Sequence, residues 1–170
     1  MELLTSLLLA PLPVLVVIAA LTDLTQMKIP NWISASLIVT FFPAAFATGL
    51  SPVEVAMHLA VGLLVLVTGV ALFALRIVGG GDAKLMAAAG LWLGTAALTP
   101  FLIWTAILGG VFSLVLIVGR SLAQPYMAGA PSWVSTLFRP KGDIPYGVAI
   151  CGGVLLAYPS SALIAQAFGS

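Results

Sequence analysis

Charge is what this chain has least of. Only 6% of its 170 residues are Asp, Glu, Lys or Arg, while 62% are hydrophobic; an ordinary soluble domain is roughly one quarter charged. Five acidic and six basic side chains cannot build a surface that faces water. They suffice for one that faces lipid, which asks for apolar side chains and an internally paired backbone. Composition thus places the chain among membrane proteins before any motif is considered. The formal charge of +1 excludes an electrostatic footprint for nucleic acid. One cysteine, Cys151, closes neither an internal disulfide nor a four-cysteine zinc site. One histidine, His58, rules out a multi-histidine metal site. No metal or other cofactor is expected. The chain is apolar from Leu3, but Met1-Glu2 is acidic, so the start lacks the basic region of a secretory signal and reads as a retained first span.

What the chain has in abundance is long apolar runs. A spanning helix needs about 20 largely apolar residues. The candidates are Leu3–Thr22, Trp32–Leu50, Val55–Val78, Ala83–Leu98, Pro100–Gly119 and Ile144–Ala165. The expected fold is an all-α integral membrane bundle of about six transmembrane helices, forming one domain over residues 1–170. The fourth span is short, and would either cross obliquely in a thinned region or begin inside a protein-lined cavity. Turn signals separate the runs at Pro30-Asn31, Ser51-Pro52, Gly79-Gly80-Gly81, Thr99-Pro100 and Gly142, and Asn31 is placed to cap the second helix.

Six spans put all six basic residues at one face: Lys28, Arg76, Lys84, Arg120, Arg139 and Lys141. Glu2, Glu54 and His58 fall at the other. The positive-inside rule makes the basic face cytoplasmic and leaves both termini outside. The connection from Arg120 to Asp143 is the longest and holds Tyr126. In it Trp133/Leu137 and Val134/Phe138 are spaced to share a helical face. A short interfacial helix and an ordered loop with a few buried aromatics both remain open readings.

Asp23, Asp82 and Asp143 all fall at membrane boundaries on the basic face, and ionisable groups there are functional candidates by default. Asp23 ends the first span. Asp82 closes Gly79-Gly80-Gly81-Asp82 and opens the fourth. Three glycines allow close backbone approach and conformations closed to other residues, which suits a loop that must place one carboxylate. Two neighbouring carboxylates can share a proton, one as base and one as acid, and activate a water for attack on a peptide carbonyl without a metal or a covalent nucleophile. The helix dipole favours ionised Asp82 at a helix start and disfavours ionised Asp23 at a helix end. That makes Asp82 the resting base and Asp23 the holder of the shared proton. The plainer reading is that each aspartate caps a helix or pairs with Lys28 or Lys84. Asp143, between Gly142 and Ile144-Pro145, reads mainly as a surface turn residue. His58 reads as an interfacial polar residue, remote from the glycine loop. Gly90-Leu91-Trp92-Leu93-Gly94 reads as a small-xxx-small packing pattern, with Met86 and Trp92 as packing residues.

Asp23 followed by Lys28-Ile29-Pro30-Asn31, then Gly79-Gly80-Gly81-Asp82-Ala83-Lys84-Leu85, with Ile144-Pro145-Tyr146-Gly147 near the last span, resembles the prepilin peptidases, also called type IV leader peptidases. The resemblance covers nearly the whole chain. It implies an aspartic endopeptidase of the inner (cytoplasmic) membrane. Its substrate would be a prepilin with a hydrophobic N-terminal helix held in the lipid bilayer. The enzyme would cut the basic leader at the cytoplasmic face, in the company of the pilus assembly machinery. The resemblance makes Asp23 and Asp82 catalytic. It gives Gly79, Gly80, Gly81, Lys28, Pro30, Asn31 and Lys84 positioning or substrate-contact roles. Longer relatives carry an extra cytoplasmic region with paired cysteines and also methylate the new N-terminus. This chain lacks that region and resembles the short members associated with Flp/Tad-type pili, so no methyl transfer is expected.

Two other classes compete. A small ion or proton transporter or channel subunit would need polar residues through the depth of several helices, whereas charge here sits at the rims. A non-catalytic pilus assembly factor would have no need of both aspartates.

Overall fold

A computed structural model describes residues 2–123, 127 and 129–169, together with all side chains in that set except that of Glu2. Tyr126, assigned above to the long connection, lies outside the described residues. Among those described, the regular structure is entirely helical. Helices α1 (Glu2–Leu9) and α2 (Pro11–Gln26) meet at Ala10. Together they make one apolar run, Leu3–Gln26, of 24 residues. Pro13 has no N–H to give the Leu9 carbonyl four residues back. That carbonyl instead accepts the Tyr158 hydroxyl at 2.9 Å.

α2 stops at Met27, whose φ of 52° lies in the left-handed region and whose N–H returns to the Asp23 carbonyl. Ile29, before a proline, is steered away from helix, and Pro30 is extended (ψ 137°). α3 (Asn31–Thr48) begins there without a side-chain cap. Asn31 is its first helical residue, and its Oδ1 accepts from Lys84 Nζ at 3.0 Å. The expected Asn31 cap is thus replaced by a tie to another helix. Gly49, at φ 80°, closes α3. Ser51 then opens α4 (Pro52–Ala74) with a reciprocal capping box to Glu54.

The long segment α5 (Gly80–Ala123) has 44 residues and breaks at Gly94, with φ 62° and ψ −167°. Straight, it would reach about 66 Å, twice the roughly 30 Å of hydrocarbon. It is folded back instead. Gly94 lies against His58, near the start of α4, and Gly90 against Val61 and Val65; Gly69 approaches Ala83. Residues 80–93 therefore run antiparallel to α4. Beyond the break, Gly109 lies against Tyr146 and Gly153 against Phe101 and Thr105. Residues 95–123 therefore return toward the end from which Gly80 set out. The expected boundary at Thr99-Pro100 is corrected: the helix runs through Pro100, and the reversal falls on Gly94 because its backbone angles are essentially restricted to glycine. In Gly90-Leu91-Trp92-Leu93-Gly94, Gly90 packs as expected and Gly94 makes the turn.

The stretch from Ala87 to Gly94 is wholly buried, so the short fourth element lies inside the bundle. Trp92, fully buried, donates Nε1–H to the Leu37 carbonyl at 2.8 Å; Met86 packs beside the core. His58, expected at an interface, is instead 3% exposed. Its Nδ1 donates to the Leu91 carbonyl at 2.7 Å, next to the break.

A short helix, α6 (Ser132–Leu137), does form in the long connection. Leu137 is buried and Trp133 is exposed. The last apolar run is divided into α7 (Gly147–Ala157), a 3-10 turn (Tyr158–Ser160) and α8 (Ala162–Phe168), with a 43° bend. By length and hydropathy four helices can cross a membrane, α5 being one of them, or five if the bent pair counts as one. The chain is a multi-pass membrane protein.

Candidate active site

Asp23 and Asp82 stand 59 positions apart by number and line the same cavity of about 490 Å³. Its wall also holds Gln26 to Asn31, hence Lys28, Pro30 and Asn31, together with Gly79, Gly80 and Gly81. The two carboxylates are close enough for the charge of one to act on the other. Lys84 is not in the wall; its bond to Asn31, which is, ties the start of α5 to that of α3.

Asp23 sits in the last turn of α2 and is 7% exposed. Its Oδ2 accepts the backbone N–H of Gly147 at 2.8 Å. Gly147 is the first residue of α7, so its N–H has no partner within that helix. The dipole contrast read from the sequence counted one helix end at Asp23; the tertiary structure adds the positive end of a second. Both carboxylates therefore sit at helix N-termini, and the dipole no longer separates their roles.

Asp82 is in the first turn of α5 and half-buried. Its carboxylate lies against the Gly79 backbone, three residues back. Asp82 thus folds back on the start of its own helix and faces the cavity at once. Neither Lys28 nor Lys84 displaces these backbone partners.

The glycines act through space. A Cβ on Gly79 would lie 2.7 Å from Asp82 Oδ2, one on Gly80 would lie 3.3 Å from the Phe73 ring, and one on Gly81 would lie 3.2 Å from the Ile29 Cβ. The last contact sets how near the loop after α2 comes to the first turn of α5. The other expectation, backbone angles closed to other residues, is corrected: positive φ occurs at Gly49, Gly94, Gly129 and Gly169 but at none of these three.

Asp143 is exposed, and its backbone carbonyl accepts from Arg120. Two residues at this site carried no separate signal in the reading of chemistry: Gly147, which appeared only within the family segment, and Arg120, counted only as a basic loop residue.

Two carboxylates from different helices of an all-helical membrane chain thus share one cavity. The chain belongs to the Type IV leader peptidase family, whose profile matches residues 10–114, more than half of its length and including both aspartates. The family is one of prepilin peptidases, so the chain is a peptidase by family. No curated protein and no solved structure matches it.

Proposed function

We propose that this protein is an aspartic endopeptidase of the cytoplasmic membrane that removes the N-terminal leader of Flp-type prepilins, with Asp23 and Asp82 as its catalytic pair. The observation that carries this reading is the shared cavity of the two carboxylates, walled by the Lys28–Asn31 segment and the glycine loop. The pair holds one proton. The ionised carboxylate takes a proton from water as the oxygen attacks the scissile carbonyl carbon. The protonated one gives its proton to the carbonyl oxygen. The tetrahedral intermediate then collapses: the C–N bond breaks, the carbonyl re-forms, and the leaving amine takes up a proton.

The active site faces the cytoplasm, both termini lie outside, and residues 1–170 act as one domain. The pilin's apolar helix stays in the bilayer while its leader enters the cavity, where Lys28, Pro30 and Asn31 contact it. Methyl transfer is not part of the activity, and the partners are the prepilin, the lipid bilayer and the pilus assembly machinery.

The test is cleavage of a co-expressed Flp-type pilin precursor by wild type, Asp23→Asn and Asp82→Asn, with membrane levels checked by blot. Both variants should accumulate normally and lose activity by about 10²- to 10⁴-fold, the usual worth of general acid–base groups. Near-wild-type cleavage by either variant would sink the two-aspartate mechanism.

A further inference from the structure

The proposed chemistry leaves one buried cation unused. Arg120, in the last turn of α5, is 8% exposed. A charge in such a place is costly unless its donors are satisfied. Three of them meet backbone carbonyls: Nε reaches Leu137 at 2.9 Å, Nη1 reaches Gly142 at 2.7 Å and Nη2 reaches Asp143 at 2.6 Å. A guanidinium can hold three such acceptors because its donors are fixed in one plane, and an ammonium cannot reproduce that fork.

Gly142 and Asp143 lie shortly ahead of Gly147, whose N–H holds Asp23. The intervening residues are themselves constrained. Pro145 is buried and has a fixed φ. The Tyr146 ring is seated so closely on Gly109 that a Cβ there would lie 2.6 Å from the phenol oxygen. The segment is thus pinned by Arg120 at one end and by Gly109 and Asp23 at the other.

We infer that Arg120 is a positioning residue for the catalytic pair: by clamping the carbonyls of Gly142 and Asp143 it fixes the Gly147 N–H, and through it the direction of the Asp23 carboxylate. This rests on the reading of Asp23 as catalytic. Arg120 does not line the cavity of the two aspartates; its effect passes through six residues of backbone.

The experiment uses the purified full-length chain in lipid nanodiscs and a leader-bearing pilin precursor, with kcat, KM and the thermal midpoint measured for each variant. Arg120→Lys should lower kcat by about 10- to 100-fold, the scale of a small misplacement of a reacting group, with KM within about twofold of wild type. Gly147→Ala disturbs the same carboxylate from the other side, since its methyl would meet Asp23 Oδ2 at 2.9 Å. It should lower kcat similarly, and the double variant should lose little more than the worse single one, because both act along one path. Gly142→Ala keeps the cation and places a methyl 3.1 Å from the Arg139 carbonyl and 3.4 Å from Arg120 Nη2, which shifts the segment that Arg120 holds; a fall in kcat is expected there too, and this variant decides the matter if Arg120→Lys does not fold. Wild-type kcat in a folded Arg120→Lys or, failing that, in Gly142→Ala overturns the inference. So does a rise in KM alone, or a double variant whose losses multiply. Asp23→Asn and Asp82→Asn run alongside. If either still cuts, the peptidase mechanism itself has failed. If both are dead while Arg120→Lys is unimpaired, only the positioning role has.

Discussion

The Gly147 N–H and the Asp23 Oδ2 meet across 2.8 Å although 124 positions separate them in the chain. That bond joins the end of the first span to the start of the last helical unit. It places one catalytic candidate under the control of a segment outside the residues matched by the family. Asp82 is placed differently, by its own helix start, with its carboxylate against the Gly79 backbone.

Carboxylates that share a cavity titrate as a pair. In the proposed mechanism the active form carries one proton, so cleavage should fall at low pH, where both are protonated, and at high pH, where both are ionised. A bell-shaped profile of kcat/KM against pH is expected. A profile flat between about pH 4 and pH 9, where carboxylate pairs change state, would contradict proton sharing.

Gly79→Ala should reduce cleavage by about 10- to 100-fold, since its methyl would occupy a point 2.7 Å from Asp82 Oδ2. Gly110→Ala is the matched control: nothing lies within 4 Å of the added atom, so rate and stability should stay at wild type. Parallel cleavage assays on both variants, normalised to protein in the membrane, decide this.

Gly94→Ala should destabilise the fold by about 3 kcal/mol or more. It combines a backbone region reserved for glycine with overpacking against His58, whose ring would be 2.5 Å from the new methyl. Thermal unfolding in detergent measures the loss.

Tyr158→Phe removes the hydroxyl that satisfies the Leu9 carbonyl, whose helical donor is missing at Pro13. The expected loss is about 0.5–1.5 kcal/mol, typical of polar contacts between membrane helices. Cleavage per folded molecule should be unchanged, which a combined melting and activity measurement would show.

How far the site is legible in the sequence depends on the kind of signal. Asp23 and Asp82 stand out because charge is so scarce, and the glycine run marks the second of them. His58 is legible as a polar residue but not as a buried one, because its partner is the Leu91 carbonyl, 33 positions away and next to the break. Gly94 looks like half of a packing motif. Only the packing of the two parts of α5 against different helices shows that the chain reverses there, whereas Pro100, the stronger local signal for a boundary, lies within the helix. Asn31 has the right chemistry for a cap, but Lys84 competes for its oxygen and Pro30 takes the capping position.

By itself the sequence determined that this is an all-helical membrane protein with acidic candidates at span boundaries. Both follow from quantities that add along the chain: apolar length sets what can lie in lipid, and isolated charge in such a run is costly enough to mark a function. The tertiary structure alone decided that Asp23 and Asp82 share a cavity and that a second helix start reaches Asp23. It also decided that Arg120 grips the segment leading there, and that the reversal falls on Gly94. These depend on which backbone groups are left without a partner inside their own helix, and on which distant donor or acceptor packing brings to meet them.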